Sequence, residues 1–433
     1  MDARLVRFLP RGSVVLALTT LGSYILGLLR DRIFAHTFGA AAALDSYNAA
    51  FLVPDFLFNL LVASGIAAAA VPLFIELGSR SRQEAEEYID ALIVAAVSVM
   101  AIVAMLVMVF APAFSILVAP GLDGEARMQV IQLMRLLALS PLLFAASNAL
   151  GAMLVARQRF LFYGLSPLLY NLGIIVGALL LAPHVGIIGV VWGTLLGAVL
   201  HFLTRFIGAF LTGWRWRWVW GWNLPAMRRT VRLMLPKMAG HPVESLTFWM
   251  FTSMASFLAP GSITVLNFAR NFQSVPVSLI GIAVSTAAFP LLARAALVSR
   301  QEVRSVFWRV AASILGVSCL AALAVFFSRH QLVTVLLGGG AFQEAAIAQT
   351  ALVLGVFCLS IPTESVSHLL ARAFYAQQNT VMPVAWSVAS LVVAVGSAFY
   401  LTQTMGIVGL PIGFFLGSFA KTAGLAAMFT RQR

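Results

Sequence analysis

Apolar residues run along this chain in blocks too long for soluble core elements, and they lack the alternation of a surface strand. Twelve blocks lie near 13–30, 45–77, 89–118, 128–155, 161–182, 185–211, 236–258, 263–293, 306–328, 345–372, 381–402 and 406–430. A helix needs about 20 mostly apolar residues to cross a bilayer, and only helices and closed barrels satisfy their backbone groups there. A barrel would show period-2 alternation in strands of about ten residues. The pattern therefore predicts an all-α, polytopic membrane protein with about twelve transmembrane helices.

The blocks also repeat. Val71-Pro72-Leu73 leads to Ser81-Arg82-Gln83-Glu84, and Phe289-Pro290-Leu291 leads to Ser299-Arg300-Gln301-Glu302, at an offset of 218. The glycine-spaced stretch from Gly186 to Gly197 returns from Gly406 to Gly417 at an offset of 220. Small residues are common at helix interfaces, so one such match carries little. Two matches in order at nearly one offset imply duplication. Six spans is an even number, so the copies share one orientation: two parallel six-helix bundles, 1–222 and 223–433. Such bundles rocking about a midplane site form a transporter architecture.

Composition agrees with this reading. Of 433 residues 61% are hydrophobic and 10% charged, whereas soluble domains carry about 25% charged residues. The net charge of +13 would suggest nucleic acid in a soluble protein; here it is read as Lys and Arg kept on the cytoplasmic side. With the N-terminus inside, Arg4, Arg7, Arg11, Arg80, Arg82, Arg157, Arg159, the basic stretch from Arg215 to Lys237, the group from Arg294 to Arg309, Arg372, Arg431 and Arg433 all fall on that side. The other side receives Arg30, Arg32, Arg127, Arg270 and Arg329, while Arg135, Arg205 and Lys421 fall within spans or at their ends. Both termini are expected in the cytoplasm. The segment from Trp214 to Asn223 interleaves Trp with Arg and is expected at the headgroup level. Cys319 and Cys358 have no partner spacing for zinc or a redox pair and read as small core residues.

An ionisable group at membrane depth is costly and needs a partner, water or a role. Arg30-Asp31-Arg32 ends the first span, and the second carries Asp45, Asp55 and Asn59. In the second copy, His241 and Glu244 share a face, and Asn267, Arg270, Asn271 and Gln273 follow in the next span. Local pairing of Arg30 with Asp31 or Asp45 and a wet cavity between the bundles both explain the first group; Arg270 among three amides favours the cavity. Glu364 and His368, four apart, form either a proton relay or an interhelical hydrogen bond. With His241 and Glu244 they would suit a metal only if their helices touched. Asn148 and Asn171 read as interhelical contacts. No metalloprotease, P-loop or nucleophile-elbow motif accompanies these residues, so a transporter is expected rather than an enzyme.

The segments from Leu26 to Tyr47 (LGLLRDRIFAHTFGAAAALDSY), Val71 to Leu77, Ala119 to Leu122, Pro167 to Asn171, Ala255 to Ile263 and Phe374 to Val384 resemble the MviN/MurJ family, the lipid II flippases of the MATE and polysaccharide-exporter superfamily. They occur in family order over nearly all of the chain. The resemblance implies that a cavity between the bundles takes the headgroup of a polyprenyl-diphosphate-linked saccharide and exposes it outward by alternating access. Arg guanidinium groups suit such phosphates. Of the family's polar cavity positions Arg30, Asp31 and Asp45 match; the helix-2 arginine pair is Phe58-Asn59 here, and a helix-8 Asp-Arg falls on Arg270-Asn271.

The resulting expectation is a bacterial inner-membrane flippase. Arg30 and Arg270 would bind phosphate, with Asp31 beside them and Asp45 orienting Arg30. Asn59, Asn267 and Asn271 would contact sugar or peptide. Asp55 and Glu244 are the candidate coupling sites for Na+ or H+, and no other cofactor is expected. Partners are the lipid-linked saccharide, membrane lipids and envelope-synthesis proteins, without nucleic acid. Two rival readings are a MATE-type exporter of organic cations and a non-transporting scaffold for envelope synthesis.

Overall fold

The computed structural model describes residues 11–222, 224–240 and 242–431. Their regular structure is helical throughout, with β geometry confined to an isolated bridge between Gly339 and Phe342. The apolar blocks become Arg11–Phe38, Ala42–Phe58 running through Asn59–Ala63 into Ser64–Arg80, Arg82–Val118, Gly124–Leu137 with Ser140–Ala156, Phe160–Val176 and Ile187–Phe210. The second series is Pro225–Gly240 with Pro242–Ala255, Ser262–Pro276 running through Val277–Ile282 into Ala283–Val298, Arg300–Leu337, Glu344–Phe357 with Ser360–Ala376, Val381–Met405 and Gly409–Arg431.

The expected count of twelve is not reached on length and apolarity. Among the described residues nine stretches qualify, or ten if Glu344–Phe357 and Ser360–Ala376, bent by 43°, form one span. Two physical causes account for the shortfall. Val381–Arg431 qualifies once although it holds two helices packed on each other and joined near Gly406, whose φ of 59° turns the chain. Pro225–Gly240 is basic, and Pro242–Ala255 has 14 residues, too few to cross alone.

By Cα proximity the chain forms two compact units. The first holds the chain up to Thr37, Ser46–Val118 and Asp123–Pro242; the second holds Phe38–Asp45, Ala119–Leu122 and Val243–Arg433. The division falls at Pro242 rather than at 222 because Pro225–Gly240 belongs by contact with the first unit. Tyr88 Oη and Thr230 Oγ1 are hydrogen bonded at 2.7 Å, and Arg229 pairs with Glu76 at 2.7 Å.

Each half uses the same devices at the same places. A π-helical turn lies at Asn59–Ala63 and again at Val277–Ile282, between Pro54 and Pro72 in one copy and Pro276 and Pro290 in the other. Such bulges and prolines break the i→i−4 ladder and bend a helix. Ser81 and Ser299 both start long helices, their hydroxyls accepting from the backbone N–H of Glu84 and Glu302 at 3.4 and 3.1 Å. Gln158 and Gln378, with φ of 57° and 60°, make equivalent turns.

The repeated glycine stretch has a packing cause. A Cβ at Gly193 would lie 2.6 Å from Gly177 Cα, and Cβ atoms at Gly413 and Gly417 would lie 2.6 Å from Ala398 Cβ and Ala394 Cβ. Backbones approach this closely only when both faces are small. In lipid such contact replaces the hydrophobic effect as the force between helices.

One expectation about the segment after Ile187–Phe210 changes. Trp216, Trp218, Trp220 and Trp222 are exposed, as interfacial rings should be, but Trp214 is fully buried and its Nε1 donates to Asp90 Oδ1 at 2.9 Å. Asn223, which ends that motif, lies outside the described residues, as do Arg4, Arg7 and Arg433.

Candidate functional site

In the first unit the polar group is built on helix Arg11–Phe38. Arg30 Nε and Nη2 donate to Asp31 Oδ1 at 3.0 and 2.7 Å, and Nη1 donates to Asn171 Oδ1 at 3.2 Å. Asn171 Nδ2 donates in turn to Ser23 Oγ at 3.4 Å and the Pro167 carbonyl at 3.2 Å. The Arg30 guanidinium lies 5.8 Å from the Phe34 ring centre; Phe34 meets Tyr47 edge-on at 5.6 Å, and Tyr47 Oη is bonded to Thr194 Oγ1 at 3.0 Å. Arg30 is half-buried and Asp31 buried. A guanidinium fixed by neighbours on two helices is a preorganised donor fork, the form best suited to a phosphate oxygen. Asn171, expected as an interhelical contact, is the residue that ties this cation to a second helix.

In the second unit Arg270 Nη2 donates to Glu244 Oε1 at 3.1 Å, with the Arg270 guanidinium 3.3 Å from the Phe248 ring centre. Asn267 Nδ2 donates to the Ile263 carbonyl of its own helix at 3.0 Å, Asn271 is exposed, and Gln273 is buried with its Nε2 on Ser360 Oγ at 3.0 Å. The structure thus joins two predicted residues, Arg270 and Glu244, which the sequence had given separate roles. His241 lies outside the described residues.

One other candidate, Asp45, is placed differently from its expected role. Asp45 is buried and its carboxylate accepts from Gly261 N–H at 2.6 Å, Thr264 N–H at 2.7 Å and Thr264 Oγ1 at 2.7 Å. It therefore anchors the N-terminus of Ser262–Pro276, where an anion suits the helix dipole, while Asp31 is the carboxylate that orients Arg30. Asn59 Nδ2 donates to the Asp55 backbone carbonyl at 2.9 Å, at the start of the π-helical turn. Asp55 lines a cavity of about 270 Å³ in the first unit with Asn148, Tyr170, His201 and three prolines, Pro54, Pro141 and Pro167.

Two of that cavity's lining residues, Asn148 and His201, belong to a network around Arg205, for which no role was expected. Arg205 is buried, its Nε on Ser166 Oγ at 2.8 Å and its Nη1 on Asn148 Oδ1 at 2.9 Å and the Ser147 carbonyl at 3.1 Å; Ser147 Oγ is bonded to His201 Nδ1 at 2.8 Å. The sequence signal was a lone arginine in an apolar run.

A family profile described as lipid II flippase MurJ matches residues 34–433. The chain belongs to the MurJ family. The lipid II flippase MurJ of Burkholderia cenocepacia is 25% identical over 412 residues, covering 92% of this chain and 79% of the relative. A probable lipid II flippase MurJ of Haemophilus influenzae is 29% identical over 398 residues, covering 87% and 78%. A structure of lipid II flippase MurJ in an inward closed conformation superposes with a TM-score of 0.84 at 20% identity, covering 96% of this chain and 87% of that one. An inward-facing MATE-family multidrug transporter superposes at 0.75 with 16% identity, covering 98% and 100%. Both structural likenesses speak to the fold alone, a multi-pass helical membrane fold. Arg30, Asp31 and Asp45 fall into two settings here: a cation held by its neighbouring acid, and an acid bound to backbone.

Proposed function

We propose that the protein moves a polyprenyl-diphosphate-linked saccharide of the lipid II type from the cytoplasmic to the outer leaflet of the bacterial inner membrane by alternating access. The observation that carries this is a pair of half-buried arginines, Arg30 and Arg270, one in each unit, bonded to the acids Asp31 and Glu244 respectively. Guanidinium groups at membrane depth match a group that cannot enter hydrocarbon alone, and their acids limit the charge when no headgroup is bound. The family match supports the same substrate class.

In this reading Arg30 and Arg270 take the phosphates. Asp31 orients Arg30, and Asn59, Asn267 and Asn271 offer amide groups to sugar or peptide. Asp45 serves by fixing the N-terminus of Ser262–Pro276, the helix that carries Arg270. Asp55 and Glu244 remain the candidate sites for a coupling ion, Na+ or H+. The prolines and π-helical turns at 54–72 and 276–290 are where bending is easiest. In this reading both termini lie in the cytoplasm, the side on which the distribution of Arg and Lys concentrates positive charge.

The test is an Arg30→Ala, Arg270→Ala double variant in a strain dependent on this protein, paired with reconstituted vesicles and a fluorescent lipid-linked saccharide. Loss of growth and of transbilayer movement, with the variant present in the membrane, is the expected result. Normal export by the expressed variant rejects the assigned roles.

A further inference from the structure

In the first unit, helices Ser64–Arg80 and Arg82–Val118 form a groove that the chain's own basic helix Pro225–Gly240 covers. Met227 and Thr230 are buried there, Thr230 Oγ1 is bonded to Tyr88 Oη at 2.7 Å, and Arg229 pairs with Glu76 at 2.7 Å. Just before that helix, Gly221 packs on Ala91 with no room for a Cβ. Under this cover Leu73 is 3% exposed, Tyr88 1% and Ala91 0%.

The offset of 218 carries Leu73, Glu76, Tyr88 and Ala91 to Leu291, Arg294, Val306 and Arg309. In the second unit these four, with Val298 and Glu302, line an open groove of about 560 Å³ between Ala283–Val298 and Arg300–Leu337. Leu291 is 54% and Val298 78% exposed. Exposed apolar side chains need no partner beside lipid; the charges are the informative part. Arg294 stands in the place of Glu76, and Arg309 in the place of Ala91, so the lining turns from acidic to basic. Glu302 does not alter this, because its counterpart Glu84 is also acidic. Among the described residues no carboxylate lies within ion-pair distance of Arg294 or Arg309.

We propose that the groove lined by Arg294 and Arg309 is a docking site for an amphipathic helix with an acidic face, carried by a partner protein. The first copy shows what the shape accepts: a short helix seated by buried side chains and an ion pair to the groove wall. The reversed lining sets the sign of the partner's charge. It also keeps the chain's own basic helix, with Arg228, Arg229 and Arg232, from fitting both places, since like charges would meet in the second.

The test uses the purified full chain in phosphatidylcholine nanodiscs and two fluorescent synthetic peptides of residues 225–240. One has the native sequence; the other carries Arg228→Glu, Arg229→Glu and Arg232→Glu. By anisotropy, wild type is expected to bind the acidic peptide about tenfold more tightly than the basic one, as for two exposed ion pairs turned from repulsion to attraction. Arg294→Glu with Arg309→Glu is expected to reverse that order, which arginines of merely structural role would not do. Arg294→Gln with Arg309→Gln is expected to abolish the preference, and serves should the reversed variant not fold. Equal binding of both peptides by wild type, or an unchanged preference in either folded variant, overturns the proposal. So does failure of both variants to fold, which makes the arginines structural groups. Absence of peptide binding overturns it as well; phosphatidylglycerol retained by wild type and lost by the Gln variant then makes the groove a lipid site.

Discussion

Asp45 and Thr264, 219 positions apart, share two hydrogen bonds: the Thr264 backbone N–H and its Oγ1 each donate to Asp45 Oδ1 at 2.7 Å. Gly261 N–H donates to the other carboxylate oxygen at 2.6 Å. Three donors converge on one buried acid at a helix N-terminus. That is how a residue from the short Phe38–Asp45 segment becomes part of the second unit.

Removing this acid leaves buried N–H groups without acceptors. Asp45→Ala is expected to destabilise the protein by about 1–3 kcal/mol, read as a lower melting temperature in detergent. Asp45→Asn falls between, because its amide offers one acceptor oxygen where the carboxylate uses two. Equal melting of Asp45→Ala and wild type rejects the anchoring role.

The Arg30 fork depends on geometry as well as charge. Arg30→Lys keeps the charge but cannot place two donors on Asp31 and a third on Asn171. Transport is expected to fall about tenfold with melting little changed. Asn171→Ala should lower transport less, since it frees the fork without removing it. The measurement is the initial rate of lipid movement in vesicles; an active Arg30→Lys shows that charge alone suffices.

Helix contact at the glycine stretch gives an internal comparison. Gly193→Ala places a methyl 2.6 Å from Gly177 Cα, whereas Gly396→Ala meets nothing within 4 Å. The first is expected to destabilise by about 1–3 kcal/mol through overpacking. The second should be neutral or slightly stabilising, since alanine is the better helix former. Denaturation in mixed micelles separates them, and identical unfolding of the two removes the packing argument.

The Trp214–Asp90 bond at 2.9 Å ties the segment that follows Ile187–Phe210 to the long helix Arg82–Val118, with Arg217 Nε 3.9 Å from the other Asp90 oxygen. Trp214→Phe keeps most of the buried area but removes the indole donor from Asp90 Oδ1, at a cost of about 1–3 kcal/mol. Faster proteolysis within 215–222 is the expected sign. Unchanged cleavage shows that packing of the ring, not the bond, holds the segment.

Much of the architecture was legible because lipid leaves a chain few options. Each apolar block became helix, and the matched Ser81/Ser299 and Gly186/Gly406 signals proved to be caps and turns at equivalent places. The count of spans was less legible. A basic segment with one short helix, Pro225–Ala255, and a tight hairpin, Val381–Arg431, do not divide cleanly by apolarity. At the site, the Arg30–Asp31 pair is local and could be foreseen. The Asp45–Thr264 and Trp214–Asp90 bonds join positions far apart in sequence, and nothing in either neighbourhood announces its partner.

Sequence alone determined what the solvent demands: an all-helical chain, duplicated, with its few charges at countable depths. Backbone groups in hydrocarbon must be satisfied locally, so that information is local too. Tertiary structure decided which acid serves which cation and which acid serves backbone. A carboxylate's role depends on the donors brought within 3 Å of it, and those donors come from helices whose neighbours are set by packing rather than by sequence distance.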